Sequence, residues 1–387
     1  MDRGGQAARA VPFLERAASV AMRVSANEEA IRCLNYALAL LGTLPAGRDR
    51  DARELALRSS LSAALNPARG YAAVEVEDNL DRVFELYGET GDVPARWLWV
   101  AFTQRFVLGD LTGTREASEQ VMARSVVDPS CRCEAHHAMA GLLQNLGDLE
   151  GSRTHFEAAL AAYDERDPRS SALGTDLGVF AHAWYSHTLW LLGDEAGAVS
   201  HVERAIALAR RLDHLYSETL AFAYAGLLHQ LRGDVARLIE CSERVVALCG
   251  RHGFVYYGDW ADVLIGWARG LEQPVRGIEI IDAALARLDA RRARARRPYY
   301  MSLLADVCQR AGQTGRAAST LDAAIALAVE RSDVWWLPAL YLQRSALQPE
   351  PERARTRGRA LELARAQHSQ ALEQKILASD RTLSRTL

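Results

Sequence analysis

The segment Cys131-x-Cys133-x-x-His136-His137 places four potential metal ligands within one short stretch. On a helix, neighbours on one face are three or four residues apart, so Cys133 can meet His136 or His137, whereas Cys131 and Cys133 diverge. No second ligand pair stands at zinc-finger spacing. The balance favours core thiols and one groove-facing histidine, with no metal. A second chemical block is the run Arg291, Arg292, Arg294, Arg296 and Arg297, dense enough to contact a polyanion. The competing reading is a solvated helix C-terminus, where cations meet the negative end of the dipole. The alternating Arg353, Arg355, Arg357 and Arg359 admit the same two readings.

Catalytic patterns are missing from the chain. It has no G-x-x-x-x-G-K-[ST] loop, no G-x-G-x-x-G following a strand, no H-E-x-x-H and no G-x-S-x-G. Lys375 is the single lysine. No enzyme activity and no cofactor are expected. With 46 basic and 49 acidic residues the net charge is -3, which offers no general attraction to nucleic acid or membrane. The six cysteines follow no disulfide framework, the N-terminus has no signal-peptide core, and no eighteen-residue apolar run occurs. A cytoplasmic protein with reduced thiols is expected.

The elements that must position these residues are helices. Gly109-Asp110, Gly147-Asp148, Gly193-Asp194, Gly233-Asp234 and Gly312-Gln313 recur along the chain. Gly can end one helix in the left-handed region and Asp can cap the next. Small residues sit at fixed offsets from these turns. Ala140, Ser186, Gly226 and Ala305 stand seven before, and Ala159, Ala205 and Ala324 twelve after. They let the two helices of a hairpin approach closely. Ala18, Ala30, Leu34 and Ala37 fit the same grid around Ser25, and Gly277, Ile281 and Ala284 fit it if the turn at Gly270 to Pro274 is longer. A repeat array also suits a chain of 387 residues, too long for one ordinary core.

The pattern predicts helix pairs over 11–24 and 27–42, 50–65 and 73–90, 94–108 and 111–127, 130–145 and 149–165. The next pairs are 177–192 and 195–212, 215–231 and 234–252, 257–271 and 275–292, 298–311 and 315–331, 334–347 and 352–367. A final helix at 369–385 would cap the array. The expected organisation is a disordered N-terminus over 1–10, an α-solenoid over 11–367 and a capping helix or tail over 368–387. The stretch 164–174 is expected to be a mobile loop.

The small-residue grid resembles the tetratricopeptide repeat. Five stretches carry a narrower resemblance: L-N-P-A-R-G-Y-A-A-V-E-V from Leu65, D-L-G-V-F-A-H-A-W-Y-S-H-T-L-W-L-L-G-D from Asp176, L-L-H-Q-L-R-G-D from Leu227, R-P-Y-Y-M-S-L-L-A-D-V-C-Q-R-A-G-Q from Arg297 and V-W-W-L-P-A-L-Y-L-Q-R from Val334. Over about 12–366 the chain is similar to the tetratricopeptide region of bacterial signalling ATPases. Those proteins join an AAA-type or STAND-type ATPase to a class III adenylate cyclase, or to a LuxR-type or antibiotic-regulator-type transcriptional output. The third unit departs from the pattern at Thr114, Ser118 and Val121, and the sixth at Leu238.

The resemblance implies an all-α, right-handed superhelical solenoid of antiparallel helix pairs whose first helices line a concave groove. Its groove positions fall on Glu134, His137, Gly141 and Gln144; on Phe180, Ala183, His187 and Trp190; and on Leu220, Ala223, Leu227 and Gln230. They continue on Tyr257, Trp260, Leu264 and Trp267, and on Tyr299, Ser302, Asp306 and Gln309. Aromatic rings and polar groups together suit a protein segment, a peptide or a small effector. Rings at helical spacing also suit packing between repeats. The implied role is a non-catalytic interaction or sensor module in bacterial signalling or transcriptional regulation, its partners including an ATPase or output domain in cis or trans. The alternative is a nucleic-acid-binding repeat protein using the Arg blocks.

Overall fold

The computed structural model describes residues 3–88, 92–167 and 174–383, with side chains from Ala7 to Ser379. All regular structure among them is helical. The helices are α1 (Arg3–Arg23), α2 (Asn27–Leu41), α3 (Arg48–Arg69), α4 (Val74–Tyr87), α5 (Ala95–Leu108), α6 (Leu111–Val127), α7 (Arg132–Asn145), α8 (Leu149–Ala162), α9 (Leu177–Leu192) and α10 (Glu195–Arg211). Then come α11 (Leu215–Arg232), α12 (Val235–His252), α13 (Tyr256–Gly270), α14 (Pro274–Ala290), α15 (Arg297–Arg310), α16 (Thr314–Arg331), α17 (Leu337–Ala346), α18 (Glu352–Ala366) and α19 (Gln370–Leu383). Consecutive helices pack as antiparallel hairpins from α1 with α2 through α17 with α18, and each hairpin stacks on the next. This is the expected solenoid.

The turns form for the expected reasons. Gly109, Gly147, Gly193, Gly233 and Gly312 all have positive φ. The carboxylates of Asp110, Asp148, Asp194 and Asp234 accept the N–H three residues on, at 2.8–3.2 Å. Ser25, without a glycine, still turns through φ 56°. Ala140, Ser186, Ala305, Ala159, Ala205 and Ala324 are all buried. At the longer turn the fit is tightest: a Cβ on Gly277 would stand 2.5 Å from Gly270 Cα.

Helix α1 begins at Arg3, so residues 3–10 are helical where disorder is expected from the sequence. Ala7 and Val11, one turn apart, are both buried. Residues 168–173 of the expected mobile loop lie outside the described residues, as do 384–387 of the tail.

The superhelix closes on itself, which local rules do not foretell. The last carbonyls of a helix have no partner within it. Here the ends of inner helices find partners five or so hairpin elements away along the chain. Pro67 O at the end of α3 accepts from Val255 N at 3.1 Å, just before α13. Val107 O in α5 accepts from Arg294 N at 2.7 Å and Ala295 N at 3.1 Å, before α15. Asn145 O in α7 accepts from Val334 N at 2.8 Å, before α17. Leu191 O in α9 accepts from Ser369 Oγ at 3.1 Å, and Leu231 O in α11 from Lys375 Nζ at 2.8 Å. Two of the turn glycines make this approach possible as well as the turn itself. A Cβ at Gly147 would meet Gln367 Nε2 at 2.9 Å, and one at Gly193 would meet Gln370 Oε1 at 2.8 Å. Helix α19 therefore lies against α9 as well as α18.

Candidate functional site: the closed axis

The inner helices bring most of the sequence-selected groove residues together, and the closure buries them. His137, His187, Trp260 and Tyr299 are fully buried; Gln144, Phe180, Trp190, Tyr257 and Trp267 are buried to within a few per cent. Rings run continuously along the axis. His137 lies 4.6 Å from Phe180, Phe180 stacks on Trp184 at 5.6 Å, and Tyr224 joins Phe180 to Trp260. Tyr257 contacts Trp260 at 5.7 Å. The polar members bond to one another: Thr188 donates to Gln144, the Tyr299 hydroxyl to Gln230 Oε1, and Trp267 Nε1 to Asp306, each at 2.7–2.8 Å. Glu134 is half-buried and Gln309 exposed. In place of an open concave groove there is a filled axis, because one turn of the superhelix docks on the ends of another.

The centre of this axis is a residue assigned from sequence to a polyanion surface. Arg296 is 2 % exposed. Its guanidinium donates from Nη2 to the Tyr224 hydroxyl at 3.2 Å. It lies within 4.8–5.8 Å of the ring centroids of Tyr224, Trp260, Trp184 and Phe106. The π faces stabilise a cation removed from water. Among the described residues no carboxylate lies within ion-pair distance of it. The buried Asp333 shares with Arg296 and Asn145 a cavity of about 10 Å³. Burial pushes the Asp333 carboxyl up to about 7, with Arg296 and Arg331 pulling it back.

The other arginines of the block are mostly engaged within the protein. Arg291 pairs with the buried Asp259 at 2.7 Å, Arg292 with Glu77 at 2.6 Å, and Arg297 with Asp289 at 2.9 Å. Arg294 is the one exposed residue of the block. A continuous phosphate-binding surface is therefore not what this run builds. The physical reason is that Ala293 and Ala295, both buried, tuck the segment against α5 and carry Arg296 inward.

Five buried polar atoms around the axis have no hydrogen-bond partner among the described residues: His137 Nε2, Trp184 Nε1, His187 Nδ1, Trp260 Nε1 and Asp333 Oδ1. Folded proteins leave few such groups, because each costs its lost hydration. Burial lowers His137 and His187 to about 3, so both rings are neutral near pH 7. The His187 Nε2–H points at Tyr224 O, 2.9 Å away, leaving Nδ1 as an unmet acceptor.

The cysteine–histidine cluster separates as spacing implies. Cys131 donates to Asp128 O, Cys133 is buried, and His137 accepts from Trp99 Nε1 at 3.2 Å. Burial pushes the Cys131 thiol up to about 11. All six thiols are free and buried. No group of three or more potential metal ligands occurs among the described residues. His136 turns outward and meets His155, a residue with no signal in the sequence pattern. Sequence reasoning also passed over Trp184, Tyr224, Arg296 as an axial group, and Asp333. Trp184 stands one turn after Phe180 and Tyr224 one turn after Leu220, which is a usable helical signal; Arg296 and Asp333 depend on distant chain closure.

Open grooves lie outside the axis. One of about 560 Å³ runs between α12 and α14, lined by Val246, Asp262, Arg269 and Ile280. Another of about 730 Å³ lies between α2 and α4. No described helix is long and apolar enough to cross a membrane.

No protein-family model matches the chain, and no curated protein matches it. Solved structures share its fold. A Rap protein complexed with Competence and Sporulation Factor is similar over 91% of this chain and 99% of that one, with TM-score 0.55 and 12% identity. The human IFIT1 dimer with m7Gppp-AAAA is similar over 97% of this chain and 82% of that one, with TM-score 0.50 and 14% identity. The chain is thus an all-α, tetratricopeptide-like helical-repeat protein. At these identities the likeness concerns architecture.

Proposed function

We propose that the chain is a non-catalytic interaction module that takes a peptide or protein segment along its axis when the closing contacts release. The observation that carries this reading is the set of five unpartnered polar atoms along the axis that has Arg296 at its centre. A buried guanidinium without a carboxylate, walled by rings, favours an occupant that brings a carboxylate and apolar side chains. The opening is a shift between two packings of the same hairpins, which touch along thin interfaces. The Rap structure, solved in complex with Competence and Sporulation Factor, supports a binding role for this architecture. The sequence resemblance supports a setting in bacterial signalling or transcriptional regulation, with an ATPase or output domain as partner in cis or trans, and a small effector as a further occupant of the axis.

Selection of a random peptide library on the immobilised chain tests this. Enriched peptides are expected to carry a carboxylate, and Arg296→Gln is expected to weaken them at least tenfold while circular dichroism stays unchanged. Absence of enrichment on the wild-type chain, or peptides indifferent to Arg296→Gln, would overturn the reading.

A further inference from the structure

Two histidine pairs occupy matching places in neighbouring hairpins. His136 on α7 faces His155 on α8 with Nδ1 atoms 3.0 Å apart. His182 on α9 faces His201 on α10 with Nδ1 atoms 2.9 Å apart. The rings are tilted by 47° and 50°, with centroids 5.0 and 4.9 Å apart. Each partner in the second pair stands 46 residues after its counterpart, the same step that separates Gly147 from Gly193. The following hairpin has Phe222 and Cys241 at these positions, and the preceding one Leu98 and Ala117. Packing alone therefore does not require histidine there. All four histidines are partly exposed.

We propose that each pair is a two-histidine site for a divalent transition metal such as Ni²⁺, Cu²⁺ or Zn²⁺. Imidazole nitrogens bind these ions at about 2.0–2.1 Å, so two in cis positions of a square-planar or octahedral site stand about 2.9 Å apart. Both observed separations match that value, and a tetrahedral ion needs only a small opening. Without metal, one Nδ1–H donates to the other ring's Nδ1. On binding, the ion takes both Nδ1 lone pairs, and the shared proton moves through water to Nε2 of the donor ring. Asp148 and Asp194, the caps of α8 and α10, exert an attractive field on His155 and His201. Arg132 and Arg204 oppose it from the neighbouring turns. No described side chain completes a third ligand position, so water fills the remainder and the ion exchanges readily. Each ion ties the inner helix of a hairpin to its outer helix, and the two together brace hairpins on both sides of the 163–176 connection.

Calorimetry with Ni²⁺ on the untagged full chain is expected to show two sites. His155→Gln or His201→Gln leaves one, and the double variant leaves none. Saturating Ni²⁺ at a hundredfold excess over Kd raises wild-type stability by about 2.7 kcal/mol per site, and does not do so in the double variant. Should a variant fail to fold, Cu²⁺ electron paramagnetic resonance on the wild type decides: each ion is expected to show two equivalent imidazole nitrogens, with a single narrow Cu–Cu distance. Absence of saturable binding, two sites persisting in the double variant, or a spectrum with fewer than two nitrogens per ion would overturn the proposal.

Discussion

Inner and outer helices of the same hairpin obey different rules. In α9, 15 of 16 residues are buried; in its partner α10, 5 of 17 are. The outer helix is amphipathic, with one face on the hairpin and the other in water. The inner helix is covered twice, by its hairpin and stacked neighbours on one side and by the filled axis on the other. An inner helix of an open solenoid would keep a solvated concave stripe. Burial on all faces is thus the local signature of closure, and it makes the inner layer both the structural core and the only place where a ligand would meet Arg296. The two terminal regions differ in the same sense. The first two hairpins bury an aromatic-free cluster around Val11, Leu34, Leu57 and Val76, whereas the later ones share one continuous aromatic core.

The largest test of this contrast is truncation of one apolar side chain on each layer. Trp184→Ala removes a fully buried indole that packs on Phe106, Phe180 and Arg296. It is expected to cost about 3–5 kcal/mol in urea unfolding. Val275→Ala on α14, 63% exposed, is expected to stay within about 0.5 kcal/mol. Comparable losses would break the distinction between layers.

The axis also sets the pH response. His187 is ordinarily at 6.5 and is lowered to about 3 by burial, so its contribution is complete above pH 6.5 and is lost as pH falls toward 3. Asp333 runs oppositely: raised from 3.8 to about 7, it contributes below pH 3.8, and that contribution is lost as pH rises to 7. Between pH 4 and 6.5 the two slopes oppose each other, each about 1.4 kcal/mol per pH unit at most. His187→Gln is expected to flatten the rise of stability with pH in this window, and Asp333→Asn to steepen it. Chemical denaturation at pH 4.5, 5.5 and 6.5 reads both. Unchanged slopes in both variants would mean that the axis is wetter than its burial indicates.

Lys375 tests the far end of the closure. Its ammonium donates to Leu231 O at 2.8 Å and sits 4.7 Å from the Trp190 ring centroid. Lys375→Met keeps the stem but leaves that carbonyl unmet, at a cost of about 1.5–3 kcal/mol. Amide exchange should quicken in α19 and at the end of α11, with the first two hairpins unaffected. Uniform acceleration would show that α19 unfolds only with the whole array.

What the sequence conveys divides along the same line. Turn glycines, Asp caps and small residues act within one hairpin, so the helix map is legible to within a few residues for most elements. Closure joins Pro67 to Val255 and Asn145 to Val334 through backbone carbonyls, which carry no side-chain signature. The inward face of His187, Trp190 and Trp260 was legible from repeat offsets, but not its closure. Arg296 is hidden in a run of arginines that reads as a charged block, while its neighbours in space come from α5, α9, α11 and α13. His155 and His201 escaped notice because each partner lies on a different helix.

The finest test uses one substitution on both layers, Gly→Ala within a helix. Alanine lowers the conformational entropy of the unfolded chain and suits a helix interior, which favours folding by about 0.4–1 kcal/mol where space allows. At Gly358 in the outer α18, an added Cβ meets nothing within 4 Å. At Gly141 in the inner α7, it would stand 2.6 Å from Trp184 Cη2, and the indole is held by Phe106, Phe180 and Arg296. Overpacking of that kind costs about 1–3 kcal/mol, which exceeds the propensity gain. Gly358→Ala should therefore raise the urea midpoint and Gly141→Ala lower it, with equal slopes. A gain at both would mean that the indole can move aside, and that the inner layer repacks as freely as the outer.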